Sequence, residues 1–294
     1  MRVTKRIRRF LEYLIVEILF YSVRPFGFKI SSWFGAQLGS ISYGILFKIK
    51  KQIKNNLKMV FSDWPLEKIN KVTKKVFVHL GRSFFEVLSL PTINPYNIDK
   101  VVEVDGLINL KDAFSKNKGV LWLTAHFGNW ELMGAYVALK GYPLNVIARR
   151  INNEAINRLI VRIRESAKMK CILRKQSLKK ILSALRKKEI LAFLIDQDTR
   201  RVAGVFVDFL GKKAYTPIGL ASIALKTKAP VIPGFIIRDG HKHRICIEKP
   251  LSVIEDSNYE TALKRNTQLY NTYIEKYIKM YPEQWVWMHN RWRK

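Results

Sequence analysis

The chain has 294 residues, and 53 lysines and arginines against 23 aspartates and glutamates give it a formal net charge of +30. The length predicts one large domain or two small ones, and 48% hydrophobic residues suffice to bury a substantial core. So basic a chain indicates an anionic partner: nucleic acid, an anionic membrane, or an acidic protein or ligand. Cys171 and Cys246 have no paired spacing, which excludes a Cys-based metal or redox motif and predicts inert core thiols in a reducing compartment.

Two apolar runs follow a basic N-terminus. The run 10–23 contains Glu12 and Glu17, whereas the run 30–47 has no charged residue and is followed by several lysines. These runs are too long and interrupted for a signal peptide, and both flanks are positive, which favours cytoplasmic ends. We expect residues 1–54 to be an N-terminal helical segment that anchors the chain in the cytoplasmic leaflet of the membrane; core helices of a soluble domain are the alternative.

Residues 55–294 read as one domain in which strands and helices alternate. A helix is predicted after Asp63, with Pro65 in its first turn, and Pro91 ends it. Further along the chain, strands are predicted at 120–124, 144–148, 171–173, 190–195, 231–237 and 244–248, and helices after 130 and at 154–167, 178–186 and 217–226. This alternation predicts an α/β fold with a mixed, largely parallel sheet flanked by helices.

The stretch 120–134 carries the clearest chemistry. The apolar run Val120–Thr124 brings His126 to the carboxyl end of a strand, where ligands gather in α/β sheets. Asn129 is a candidate N-cap for the following helix, which carries Glu131 in its first turn. A neutral imidazole, with an ordinary pKa of about 6.5, is a good general base when a carboxylate fixes its other nitrogen. The alternative is a core histidine and a surface glutamate.

The block TAHFGNWELMG resembles the signature of the late lipid A acyltransferases, the lauroyl/myristoyl transferase family within the glycerolipid acyltransferases, which share an H-x-x-x-x-D/E dyad. The tail 282–292 resembles the family's P-x-Q-W-x-W-x-H-x-R-W/F motif, and the matching pieces cover most of 55–292. The interleaved tryptophans and arginines of this tail suit a membrane interface or a sheet edge, although a platform for single-stranded nucleic acid would look similar.

The resemblance also assigns polar residues to substrate binding. Arg149 and Asn153 align with the arginine and asparagine of a Tyr-Arg-Pro step that here lacks the tyrosine and the proline. Asp196 and Asp198 match the family's D-Q/H-D element, and we expect Asp196 to hold an arginine or the sugar end of the acceptor. Arg238 ends a P-x-x-x-x-R element and is a candidate for binding an anion.

Four aromatic residues are candidates for the walls of an acyl pocket, with the protein core as an equal alternative: Phe127, Trp130, Phe206 and Phe209. No metal is expected, because the two carboxylates Asp196 and Asp198 lack a third ligand at a metal-like spacing. The family resemblance implies no other cofactor either.

The resemblance implies an acyltransferase that moves a fatty acyl group from acyl carrier protein to a hydroxyl of an anionic lipid A precursor, at the cytoplasmic face of the inner membrane. In that mechanism His126 removes the hydroxyl proton and Glu131 holds the imidazole. One alternative is another acceptor: a lysophospholipid, a glycolipid or an amino-acid lipid. A non-catalytic basic protein that binds membrane or nucleic acid is the other, but binding would not need this dyad, so no specific nucleic acid partner is expected.

Overall fold

The computed structural model describes residues 2–148, 150–173, 177–198 and 202–292. The helices are α1 Arg2–Val23, α2 Gly27–Ile45, α3 Phe47–Val60, α4 Leu66–Leu88, α5 Leu107–Ser115, α6 Trp130–Leu139, α7 Glu154–Ser166, α8 Ser177–Arg186, α9 Gly219–Thr227 and α10 Tyr259–Met280. The strands are β1 Val102–Asp105, β2 Val120–Thr124, β3 Leu144–Ala148, β4 Lys170–Leu173, β5 Ile190–Leu194, β6 Gly204–Phe209, β7 Lys212–Pro217, β8 Val231–Asp239 and β9 Lys242–Ile247.

Seven strands form one sheet in the order β1-β9-β8-β2-β5-β3-β4. Its neighbours run parallel except β8 and β9, which form an antiparallel hairpin. The predicted α/β fold with a mixed, largely parallel sheet is therefore confirmed. Strands β6 and β7 form a separate antiparallel pair.

The sheet is covered on both faces, as expected for a mostly parallel sheet. Side chains of β2 alternate between the two faces: Leu121 and Leu123 belong to one hydrophobic cluster, with residues of α3, α4, α8, α9 and α10. Val120 and Trp122 belong to the other cluster, with residues of α5, α6 and α7. All five residues of β2 are buried, so this strand lies at the centre of the molecule.

The N-terminal segment forms α1 and α2, and α2 lies against α4 at a close backbone contact. A Cβ added to Gly81 of α4 would stand 2.2 Å from the carbonyl oxygen of Gly35 in α2. Among the described residues, no helix combines the length and apolar content that crossing a membrane requires. The expected domain boundary after Lys54 falls inside α3, whose Ile53 and Leu57 are fully buried in the main core, so the fold has no break there.

Large apolar side chains are exposed mainly on α1, α2 and the turn between them. Of the 27 exposed large apolar side chains in the described part, sixteen lie between residues 7 and 47. They are Ile7, Phe10, Leu11, Leu14, Ile15, Ile18, Tyr21, Phe26, Ile30, Trp33, Phe34, Leu38, Ile41, Ile45, Leu46 and Phe47. Such a concentration of exposed apolar residues marks an interaction surface.

Candidate active site

His126 follows β2 directly and is held by a carboxylate from the next strand. Its Nδ1 lies 2.9 Å from Oδ1 of Asp196, and its backbone N–H donates to Oδ2 at 3.0 Å. Asp196 follows β5, which pairs with β2, so the two strand ends bring the side chains together. Because an ionised carboxylate only accepts, Nδ1 carries the hydrogen, and Nε2 is left as the basic nitrogen.

Asp196 is fully buried and has three hydrogen-bond donors. The third is the indole Nε1 of Trp285, at 2.8 Å from Oδ2. Burial alone would raise the pKa of this carboxyl, but the charge of His126 and the hydrogen bonds from His126 and Trp285 lower the pKa below its ordinary value. Asp196 is therefore ionised at neutral pH and can orient the imidazole and stabilise its protonated form.

Glu131, expected to hold the imidazole, is instead paired with Arg164 of α7. Two hydrogen bonds join them, from Nε to Oε2 at 2.9 Å and from Nη2 to Oε1 at 2.6 Å. Burial lowers the pKa of Arg164, but the charge and hydrogen bonds of Glu131 outweigh it and raise the pKa. The carboxylate that contacts the imidazole is therefore Asp196 and not Glu131. Asp196 is expected from the sequence to hold an arginine or the sugar end of the acceptor, but its hydrogen-bond partners are His126 and Trp285.

A tight turn separates His126 from α6. Gly128 has a φ of +60°, and a Cβ there would lie 1.8 Å from the carbonyl oxygen of Ile236, so only glycine fits. Asn129 is the N-cap of α6, as predicted: its Oδ1 accepts from the backbone N–H of Leu132 at 3.1 Å. The turn is held further by His79, whose Nε2 donates to the carbonyl oxygen of Gly128 at 3.2 Å.

A buried ion pair lies behind this turn. Glu86, fully buried on α4, binds Arg238 in bidentate fashion, with Nη2 at 2.7 Å from Oε2. It also accepts from Nδ2 of Asn129 at 2.8 Å and from Oγ of Ser32 in α2 at 2.6 Å. Burial would raise the pKa of Glu86, but Arg238 and His243 hold it well below the ordinary value. The cluster thus connects α2, α4 and β8 to the turn after His126.

A cavity of about 870 Å³ opens beside His126, within the range of small-molecule sites. Glu131, Arg164 and Asp198 line it, and most of its remaining wall is apolar. It reaches back along β2 to Trp122, four residues before His126, a span of about 13 Å at the rise of a strand. The shape suits an extended apolar chain with its reacting end at His126.

Of the four aromatic residues expected in an acyl pocket, Trp130 lines this cavity and the others do not. Phe127 is buried against Phe235 and Tyr277 in the core. Phe209 is buried too, and Phe206 is 53% exposed on β6. Phe127 follows the cavity-lining His126 in the chain, and Phe206 and Phe209 lie on β6, away from the cavity wall. The apolar character of Phe127 and Phe209 therefore reflects the core, and that of Phe206 reflects the surface of the β6–β7 hairpin.

The remaining predicted residues are dispersed. Arg149 lies outside the described residues. Asn153 donates from Nδ2 to the carbonyl oxygen of Arg9 at 2.7 Å and so contacts α1 rather than the cavity. Arg238 binds Glu86 instead of an external anion. In the part of the chain that the structure describes, no group of three His, Cys, Asp or Glu side chains is suited to hold a metal ion.

The C-terminal tail is structural in this fold. Trp285 and Trp287 are 1% and 0% exposed, and Nδ2 of Asn56 donates to the carbonyl oxygen of Trp287 at 2.7 Å. Arg291 is fully buried, and its Nη2 donates to Thr216 at 2.6 Å; burial lowers its pKa to about 10. At these positions the tail therefore offers neither a membrane interface nor a platform for nucleotide bases.

Comparison with known proteins gives one family. A family model described as bacterial lipid A biosynthesis acyltransferase matches residues 3–294. The chain is 26% identical over 254 residues to a lipid A biosynthesis acyltransferase of Haemophilus influenzae, covering 85% of this chain and 78% of that protein. It is 26% identical over 269 residues to the lipid A biosynthesis palmitoleoyltransferase of Escherichia coli, covering 90% and 86%.

A relative with a different acceptor in its name is also similar. The phosphatidylinositol mannoside acyltransferase of Mycolicibacterium smegmatis is 23% identical over 248 residues, covering 82% of this chain and 79% of that protein. The match of the family model spans the whole fold, including His126 and Asp196. The chain is an acyltransferase, and it belongs to the bacterial lipid A biosynthesis acyltransferase family.

Proposed function

We propose that this enzyme transfers a fatty acyl group from acyl carrier protein to a hydroxyl of a lipid A precursor, with His126 as general base. The observation that carries the proposal is the 2.9 Å contact between His126 and Asp196 at the mouth of an apolar cavity. The names of the relatives from Haemophilus influenzae and Escherichia coli support lipid A as the class of acceptor.

The reaction needs no enzyme-bound acyl group. Nε2 of His126 takes the proton of the acceptor hydroxyl while Asp196 holds Nδ1–H. The hydroxyl oxygen attacks the thioester carbonyl, and the carbon–sulfur bond breaks as the tetrahedral intermediate collapses. The proton then passes from His126 to the departing thiolate, so that an ester and a free thiol result.

Glu131 acts in this proposal through Arg164. The guanidinium of Arg164 donates to Glu131 from Nε and Nη2, and the side chain of Arg164 lines the same cavity as His126. A fixed cation in a water-poor site is a strong stabiliser of developing negative charge. Arg164 therefore stabilises the oxyanion of the intermediate, and Glu131 positions Arg164.

The exposed apolar surface of α1 and α2 supports a location at the cytoplasmic face of the inner membrane. Arg6, Arg8 and Arg9 lie at one end of this surface, and lysines of α3 follow it. An apolar face flanked by cations suits insertion into an anionic leaflet. The net charge of +30 also favours association with an acidic carrier protein.

A second candidate is transfer to another glycolipid. It is favoured by the similarity to the phosphatidylinositol mannoside acyltransferase. The proposed chemistry of His126 and Asp196 is the same for any sugar hydroxyl, so this candidate changes the acceptor and leaves the mechanism intact.

The test is acyl transfer from acyl carrier protein thioesters to lipid A precursors in detergent, with the wild type, His126→Ala, and His241→Ala as an exposed control. We expect His126→Ala to lower kcat by about 10² or more, the scale of general-base catalysis, and the control to keep full activity. Robust transfer by His126→Ala would refute the mechanism. A wild type that acylates only other glycolipids would refute lipid A as the acceptor.

A further inference from the structure

A second cavity, of about 380 Å³, lies along the exposed face of α4. It shares no lining residue with the cavity beside His126. Its charged lining residues are Lys71, Lys74, Lys75, Arg82, Arg238 and Glu283. The spacing of the first four places them on one side of α4 over about three turns, so the cavity is a basic groove along the helix.

Positive charge in this groove is not balanced. The groove is lined by five cations and one anion, Glu283. The buried Glu86 behind the groove neutralises Arg238, so three formal positive charges are left unmatched. Within the described part of the chain, Lys71, Lys74 and Lys75 make no ion pair, and Nε of Arg82 is buried without a hydrogen-bond partner. Burial and the nearby charge of Arg238 lower the pKa of Arg82. The groove therefore has the charge and the free donor to bind an anion from outside the protein.

The charge and the donors favour a phosphate group. Guanidinium groups bind phosphate through paired N–H donors, and lysines add point charges around it. A phosphomonoester carries about −1.5 to −2 at neutral pH, against −1 for a diester, and so matches three unmatched positive charges better.

The position of α2 indicates that this phosphate belongs to a lipid. Gly35 and Gly39 bring α2 into backbone contact with α4 at Arg82 and Val78, both of which line the groove. On α2, Trp33 and Ile41 are 57% and 58% exposed. A helix is about 10 Å wide, so acyl chains can lie on α2 while their head group enters the groove.

We propose that the groove of Lys71, Lys74, Lys75 and Arg82 binds the phosphomonoester head group of an anionic membrane lipid. This inference does not depend on acyl transfer, because it concerns a separate site. The site is nevertheless close to the reaction: His79, on its wall, donates to Gly128, two residues from His126.

Vesicle binding by the full chain tests the proposal. Three kinds of vesicle are compared: phosphatidylcholine alone, with phosphatidic acid, and with phosphatidylglycerol added to the same surface charge. The groove variant is Lys71→Gln with Lys74→Gln and Lys75→Gln. The matched control is Lys111→Gln with Lys116→Gln and Lys118→Gln, which removes the same charge from exposed positions elsewhere. Glutamine keeps helix propensity, so both variants fold.

We expect the wild type to prefer phosphatidic acid over phosphatidylglycerol, and the groove variant to lose about fivefold in affinity for phosphatidic acid per lysine removed. The control variant keeps the preference, and all three proteins bind phosphatidylcholine alike. No preference in the wild type, or equal losses in the two variants, would overturn the proposal. Inorganic phosphate that binds the groove as tightly as phosphatidic acid vesicles would overturn a lipid as the source of the phosphate.

Discussion

Two carboxylates compete for the role of partner to His126, and their contacts separate them. Asp196 touches the imidazole, whereas Glu131 touches Arg164. We predict that Asp196→Asn lowers kcat by about 10² to 10⁴ with little change in KM, because the imidazole loses its orientation and charge support. Glu131→Gln should cost at least about tenfold less, because glutamine can still hold Arg164. Steady-state kinetics over a range of pH makes the comparison.

The exposed carboxylate variant Asp112→Asn is the control for this pair. A result in which Glu131→Gln is as damaging as His126→Ala, while Asp196→Asn is nearly neutral, would reverse the assignment and restore the sequence-based mechanism.

At the scale of single residues, the sequence alone predicts part of the candidate active site. The apolar run before His126 and the one before Asp196 each predict a strand with a polar residue at its carboxyl end, and both are found there. The sequence does not tell which strands are neighbours, so it cannot distinguish Asp196 from Glu131 as the contact of His126. Glu86 and Arg238 are 152 positions apart, and no local pattern pairs them.

The strand β5 sets the depth of the acyl cavity. Ala192 lines it and lies opposite Trp122 in the register of β2 and β5, near the end remote from His126. We predict that Ala192→Phe fills this end and shifts the preferred donor to a shorter acyl chain. The ratio of kcat/KM for long and short acyl carrier protein thioesters measures the shift. Ala192→Ser, which adds little volume, should keep the wild-type profile; an unchanged profile in Ala192→Phe would place the chain elsewhere.

Helix α4 carries a buried histidine that makes stability depend on pH. Burial and the charge of Arg238 lower the pKa of His79 to about 3, against about 6.5 in an unfolded chain. Between these two pH values His79 is protonated in the unfolded chain but not in the folded chain. The contribution of His79 to the free energy of unfolding is therefore complete above pH 6.5 and is lost as the pH falls. The slope is at most about 1.4 kcal/mol per pH unit, or about 2 kcal/mol between pH 6.5 and 5.

We predict that His79→Gln removes this part of the slope, because a neutral amide can donate to Gly128 without titrating. Urea unfolding at pH 7.5 and pH 5 measures it, and His241→Gln, at an exposed position, should keep the wild-type slope. An unchanged slope in His79→Gln would mean that other groups cause the acid sensitivity.

The elements themselves follow from local pattern with one informative failure. The helix expected at 217–226 is α9, which begins at Gly219, and the stretch before it that carries Phe206 and Phe209 forms the β6–β7 hairpin, which is absent from the predicted strands. Leu210 and Gly211 in the turn both have positive φ, a conformation that suits a tight hairpin. Only the glycine is a residue type that predicts positive φ, so the sequence gives a weak signal for this turn.

At the scale of the whole molecule, the exposed apolar surface of α1 and α2 predicts how the enzyme meets its lipid substrate. Full burial of a large apolar side chain contributes about 1.5–3 kcal/mol, and a little over half of Trp33 and of Ile41 is exposed, so losing both lowers vesicle affinity by at least about tenfold. We therefore predict that Trp33→Glu with Ile41→Glu abolishes sedimentation with vesicles. Transfer to an acceptor dispersed in detergent should persist, because neither residue lines the cavity beside His126.

Tyr96→Glu with Ile108→Glu is the matched control, since both side chains are apolar and exposed outside the N-terminal helices, at 92% and 62%. This control adds the same two negative charges, so a general electrostatic effect on vesicle binding appears in both proteins. If the two double variants sediment alike, the apolar surface of α1 and α2 is not what holds the enzyme at the bilayer. If only the N-terminal variant is released, and it loses activity on acceptor embedded in vesicles alone, these helices bring the site of His126 to the lipid surface.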